Sequence, residues 1–281
     1  MKGQGVKFFG EFTLAVLLCL PAYAVETPSV KAAPEPAKPP SYTEPQREYL
    51  KQLDKLLAER NYLELGNKVM RPADVSYVGP VMDWAKLKTF TGKSEIVPLL
   101  YAQLLWGLAG TNPQFADLKE TAALMTVYAL LVNYADGSRC ADPSAPSHHI
   151  NTIFTNYRGQ LQYISQLPDH KRDRLARTAM AMEQKLAPMR GDDDYMCRFG
   201  LAEINHGLEK YGEGKDVPDS QGHIGRTKEI PTDPDFRPQF LPREKWEVKQ
   251  AEARTHFPEL LAALAHPARL PEAPTQDPKT P

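Results

Sequence analysis

The stretch ADLKETAALMTVYALLVNYADG, Ala116 to Gly137, constrains the fold more than any other part of the chain. Leu118, Ala122, Met125, Ala129 and Val132 recur at helical spacing, and Leu124, Val127, Leu130, Leu131 and Tyr134 cover much of the remaining circumference. A helix that is apolar nearly all round cannot lie on a surface, so other elements must enclose it. The stretch therefore predicts a central helix, ended at Gly137, around which the rest of the chain packs.

Neighbouring segments supply such a coat. In EPQREYLKQLDKLLAERNYLELGNKVM, residues Tyr49, Leu50, Leu53, Leu56 and Leu57 line one helical face until Arg60 and Asn61 break the pattern. VPLLYAQLLWGLAGTNPQ predicts a helix from near Pro98 to Gly110, with Asn112 and Pro113 in the turn. DHKRDRLARTAMAMEQKL and DDDYMCRFGLAEINHGLEKYG each open with acidic residues, which suit the positive end of a helix dipole, and Gly191 and Gly212 punctuate them. Alternating strands and Asn-Gly hairpin signals are absent, so the expected class is all-α, an irregular multi-helix bundle or helical-hairpin array. LAERNYLELG has the look of a helical-repeat turn, but no period near about 34 residues recurs, which argues against a solenoid.

The ends differ in texture. Residues 1–24 carry Lys2 and Lys7, an apolar run from Phe12 to Leu20, and the small residues Ala22 and Ala24, the layout of a secretory signal peptide cleaved after Ala24. The apolar run is shorter than the roughly 18–20 residues that span a bilayer, and no later segment is long and apolar enough, so no transmembrane segment is expected after cleavage. Leu18 stands where lipid attachment at Cys19 needs a small residue. Residues 25–45 are proline-rich with little to bury and read as a disordered linker. A helical core follows over 46–212, then an extended arm over 213–242 rich in Pro, Asp and Gly. Residues 243–268 form a C-terminal helix on which Trp246, Ala253, Phe257, Leu260, Leu261 and Leu264 can share a face. Pro258 should kink or divide it, and 269–281 read as a disordered tail.

Charge excludes one class of partner. The whole chain has 34 basic and 35 acidic side chains. Loss of residues 1–24 removes Lys2, Lys7 and Glu11, leaving 32 against 34, so nothing draws nucleic acid from a distance.

Candidate chemistry centres on RCADPSAPSHHI, Arg139 to Ile150. Zinc could take Cys140, His148, His149 and Cys197 as ligands, but the spacing C-x7-H-H matches no compact ligand pattern and adjacent histidines diverge on a regular backbone. Cys140 and Cys197 are the only cysteines left after signal cleavage, and a pair exported to an oxidising compartment bonds, so a Cys140–Cys197 disulfide is expected, with no metal. Ser147 then serves as an N-cap, and the histidines as solvated residues at a helix start.

Other motifs fail. TGKS at Thr91–Ser94 lacks the earlier glycine of a phosphate loop, since Leu87 stands there. Asp192 to Asp194 lack calcium-loop spacing and read as an acidic helix start. The tripeptide RGD at Arg190–Asp192 recurs too readily by chance to identify an adhesion site. Glu203 and His206 could touch, one turn apart, but have no nucleophile to serve. No catalytic residue and no cofactor site is assigned.

The expected protein is exported to the periplasm or medium and is a non-catalytic helical module that binds another protein or an envelope component. The alternative is a periplasmic hydrolase or metal-dependent enzyme whose site assembles only in three dimensions.

Overall fold

In a computed structural model of the chain, the described residues are 41–92, 94–111, 113–190, 193–217, 227–231, 233 and 235–264. Eleven α-helices make up most of them: α1 (Glu44–Ala58), α2 (Tyr62–Met70), α3 (Val78–Phe90), α4 (Val97–Thr111), α5 (Leu118–Asp136), α6 (Ser144–Asn156), α7 (Arg158–Gln166), α8 (Asp169–Leu186), α9 (Leu201–Tyr211), α10 (Arg243–Thr255) and α11 (Phe257–Ala263). The fold is all-α. The expected signal peptide over 1–24, residues 25–40 of the expected linker and the tail over 269–281 lie outside the described residues.

α5 is the central helix. It packs against α4, α6, α7, α8 and α10. Ala122, Met125, Val127, Ala129, Leu130, Leu131 and Val132 have no exposed surface, and each large apolar side chain so enclosed contributes about 1.5–3 kcal/mol over an exposed one.

Local signals place the surrounding helices. α1 begins two residues earlier than the expected core, because Thr43 and Gln46 form a reciprocal capping box and Pro45 suits the first turn. The break at Arg60 and Asn61 is a left-handed residue, Arg60 with φ 59°, followed by the cap of α2, where Asn61 Oδ1 accepts the Glu64 N–H at 3.2 Å. Ser147 is not a cap: α6 starts three residues before it, and Asp142 Oδ1 accepts the Ser144 N–H at 2.9 Å.

Beyond α9 the chain does form strands. β1 (Lys215–Val217) pairs antiparallel with β2 (Thr227–Glu229), with Lys215 opposite Glu229. These strands are too short, and too poor in alternating apolar residues, to be legible as a hairpin. Arg139 to Ala141 then hold the returning arm: Ala141 donates to the Gln239 carbonyl at 3.0 Å, and Leu241 to the Arg139 carbonyl at 2.8 Å. The C-terminal helix divides at His256, ahead of Pro258, into α10 and α11. Phe257 and Leu264 are buried, and Leu260 and Leu261 pack beside them, whereas α10 buries no residue and Trp246 and Ala253, expected on the same face, are only partly covered.

Candidate functional site

Among the described residues, the densest set of charged contacts involves Arg190 and Asp193 to Arg198. Its carboxylates do not start a helix: an α-helix begins only at Leu201, and Tyr195–Cys197 are a single 3-10 turn. Asp192 lies outside the described residues. Asp193 and Asp194 point inward, where they meet side chains from α2 and its preceding turn. The Tyr62 hydroxyl sits 2.6 Å from Asp193 Oδ1 and 2.7 Å from Asp194 Oδ1. Arg60 donates to Asp194 Oδ2 at 2.5 Å, and the Glu95 backbone N–H donates to Asp193 Oδ2 at 2.8 Å. Burial, and then the two carboxylates, push the Tyr62 phenol well above its usual range, so it remains a donor.

Glu95 itself is completely buried. Its Oε1 accepts from Arg139 at 2.5 Å and its Oε2 from the Met196 N–H at 3.1 Å, while Arg139 also donates to the Asp193 carbonyl at 2.7 Å. Desolvation holds the Glu95 carboxyl well above the ordinary carboxylate range against the pull of Arg139, with Asp193 and Asp136 adding to the rise.

A second knot lies at the other end of the segment. Arg190, with 3% of its side chain exposed, lies 2.5 Å from Asp136 of α5 and 2.5 Å from Glu183 of α8. The same two carboxylates receive α10: Gln250 donates to Asp136 at 2.6 Å, and Arg254 donates to both oxygens of Glu183 at 3.0 Å. Burial opposes ionisation of Glu183, but Arg254 and Arg190 outweigh it and lower its pKa. In both knots the buried carboxylates are met by arginine, which is the arrangement of an internal clamp.

Cys140 and Cys197 meet between these knots and α6. Their sulfurs are 2.01 Å apart and their Cα atoms 5.2 Å apart, inside disulfide geometry. Cys197 lies in the 3-10 turn, not in the first turn of a later helix. Of the two histidines only His148 is exposed. The expectation that both are solvated fails for His149, which is 2% exposed. Its ring lies 4.4 Å from that of Tyr195 and 5.8 Å from that of Phe199, and its Nε2 is 3.2 Å from the Arg198 carbonyl. Among the described residues, no group of three His, Cys, Asp or Glu side chains is placed to hold a metal ion.

His149 makes stability depend on pH. Burial, with His148 as a lesser cause, lowers its pKa to about 4. Below about 6.5 the unfolded chain takes up a proton that the folded chain refuses until about pH 4, so His149 makes folding less favourable as pH falls through that window. His149→Phe keeps the ring in the aromatic cluster and removes the titration. Urea unfolding should show the wild type losing about 2–3 kcal/mol more than this variant between pH 7 and pH 4.5. Equal losses would contradict a neutral buried imidazole.

Glu203 and His206 do not pair. Glu203 accepts from Arg198 at 2.9 and 2.5 Å and from the Phe199 N–H at 2.6 Å, where Phe199 takes a left-handed φ of 64°. His206 instead places Nε2 2.7 Å from Asp233 Oδ2, which also accepts from Lys210 at 2.8 Å. Lys210, then His206, hold the Asp233 carboxyl far below its usual range. Asp233 was not legible as a partner, since it lies 27 residues from His206 in sequence. His206 lines a cleft of about 420 Å³ together with Asn205, Glu209, Phe236 and Gln239.

α9 carries four of the exposed large apolar side chains found among the described residues. Leu201, Ile204, Leu208 and Tyr211 are all exposed and share one face. Beside Ile204 is a recess of about 260 Å³ lined by His148, Phe199, Glu203, Ile230 and Pro231. The N-terminus of α9 is held by α6 and the turn before it: Ala202 N–H donates to Asp142 Oδ2 at 2.8 Å and Leu201 N–H to Ser144 Oγ at 2.7 Å.

Comparison of the chain with protein families, with curated proteins and with solved structures returns no match.

Proposed function

We propose that this is an exported, non-catalytic helical protein that binds another protein or an envelope component, with α9 as its contact surface. The observation that carries the reading is the exposed apolar face of α9, four large side chains on a helix whose opposite side is bonded into the fold. The polar residues with the most unusual environments, Glu95, Asp193, Asp194, Arg139 and Arg190, each have hydrogen-bond or ion-pair partners inside the fold, which suits a structural use of their charge. Export is supported by the signal-like residues 1–24 and by the paired cysteines, and among the described residues no helix is long and apolar enough to cross a membrane.

Two measurements test this. The protein should be recovered from the periplasm or medium with Val25 as its first residue, whereas membrane-bound material retaining Met1 would refute export. Envelope proteins captured by the wild type should be lost with Leu201→Glu, a change at a 60% exposed position that leaves the core untouched. Undiminished capture would exclude α9 as the contact surface.

A second reading, a periplasmic hydrolase, is favoured by the His206–Asp233 pair at the cleft. A carboxylate holding one imidazole nitrogen leaves the other to take a proton from water. Chromogenic ester hydrolysis abolished by His206→Asn in a folded protein would replace the binding reading with this one.

A further inference from the structure

The arm that returns from β2 to α10 is clasped by two arginines, and each is the chain neighbour of one half of the disulfide. Arg139 precedes Cys140 and sets its guanidinium 5.6 Å from the centre of the Phe240 ring, while Arg198 follows Cys197 and lies 5.7 Å from the centre of the Phe236 ring. The backbone contacts repeat the arrangement. Cys140 pairs with Phe240, the Arg139 carbonyl accepts the Leu241 N–H at 2.8 Å and Ala141 donates to the Gln239 carbonyl at 3.0 Å, whereas the Arg198 side chain donates to the Asp233 carbonyl at 3.2 Å. One cysteine segment thus holds the arm at Gln239 to Leu241 and the other at Asp233 and Phe236. The S–S bond fixes these two holds relative to each other.

The remaining attachments are weaker in kind. Asp233 is bonded to His206 and Lys210, whose side chains are partly open to solvent, and ion pairs at such positions add little. The cation–π contacts are individually modest as well. Asp142 and Ser144 cap α9 and so keep the two cysteine segments near one another without the bond, but they do so by hydrogen bonds that open one at a time. Downstream, Gln250 and Arg254 anchor α10 on Asp136 and Glu183 and involve neither cysteine. Loss of the S–S bond therefore loosens the arm between β2 and α10.

We propose that the Cys140–Cys197 bond is a redox latch on this arm. A dithiol reductant opens it by thiol–disulfide exchange: two electrons and two protons pass to the bond, Cys140 and Cys197 become thiols, and the dithiol becomes a disulfide. Both cysteines are nearly buried, at 5% and 3% exposed, and the approach is the cleft of about 420 Å³ that Cys197 borders. With the latch open, the two arginines no longer hold Phe236 and Phe240 in register, and the arm leaves its place beside α9. Asp233 travels with it, so the pairing with His206 is lost and the cleft loses the wall formed by Phe236 to Gln239. The latch is independent of any use of α9 as a contact surface.

Hydrogen–deuterium exchange of the purified full-length protein, read by peptide mass spectrometry with and without dithiothreitol at one pH, tests the latch. In the reductant, peptides covering Phe236 to Leu241 should exchange about tenfold faster or more than in the oxidised protein, at a rate that does not change with low concentrations of urea, the mark of local opening. Peptides from α4 and α5 should remain slower and follow urea, since they exchange by opening of the whole fold. Cys197→Ser without reductant should reproduce the reduced pattern, and Phe236→Ala should accelerate the same arm peptides in the oxidised protein. Should Cys197→Ser fail to fold, the reduced wild type decides, because its bond is opened after folding. Arm peptides that do not respond to dithiothreitol or to Phe236→Ala overturn the proposal. So do arm peptides that exchange together with α4 and α5 and with the same urea dependence, because the bond would then support the whole fold and latch nothing.

Discussion

Arg190→Ala is expected to lower the unfolding free energy by about 3–5 kcal/mol, the usual cost of removing one partner from a buried ion pair. The size follows from what is left behind. Asp136 is 1% exposed and Glu183 is 1% exposed, and without the guanidinium their remaining donors are Gln250 and Arg254 of α10. One carboxylate must then stay charged with too few donors, take up a proton, or draw water into the core, and each course is costly. The damage should also spread. α10 docks on the same two carboxylates, so limited proteolysis of the variant should cut between α9 and α10 before the α4–α5 core opens. Chemical denaturation followed by far-ultraviolet circular dichroism gives the free energy. A loss below about 1 kcal/mol would mean that the knot is solvated in solution.

The second large effect is expected at the cysteines. Cys140→Ser or Cys197→Ser should each cost roughly 2–5 kcal/mol, and closing a loop of 57 residues is worth about 4 kcal/mol on the chain-entropy estimate. Replacing both should cost little more than replacing one, because either change removes the same bond. The loss has a structural direction. Cys140 follows the end of α5 and bridges to Phe240 of the returning arm, while Cys197 belongs to the segment that carries Asp193 and Asp194. Opening the bond frees the inward carboxylates to drift from Tyr62 and Arg60. Reductant should therefore destabilise the wild type by a similar amount and leave the double serine variant unchanged. Equal stability with and without reductant would argue against a bond in the folded protein.

What was legible in the sequence follows from what is local. The central helix announces itself because α5 is apolar on all sides, a property carried by consecutive residues. The break at Arg60–Asn61 and the division near Pro258 are likewise written in backbone chemistry. The ionic clamp was not legible, because its partners are distant: Glu95 and Asp193 are 98 residues apart, and Arg60 and Asp194 are 134 apart. From composition alone, consecutive aspartates fit a helix start. Only the fold shows that Tyr62, Arg60 and Arg139 converge on them. A faint signal did exist in SEIVPLL, where Glu95 stands directly ahead of an apolar run that had to be buried. His149 carried a clearer one. Ala145, His149 and Ile153 step by four, and all three are buried along one face of α6.

The central proposal is that Arg139, Cys140, Asp142 and His149, with Arg190, Asp193, Asp194 and Cys197, serve the fold and not a metal site. The most direct test is intact mass spectrometry of the purified protein with and without reductant, joined to metal analysis of the same sample. The account predicts that the oxidised protein is lighter by two hydrogens than the reduced one, that neither Cys140 nor Cys197 reacts with a thiol reagent before reduction, and that no stoichiometric metal is present. Two free thiols, with one equivalent of zinc that is lost in His148→Ala or His149→Ala, would contradict it.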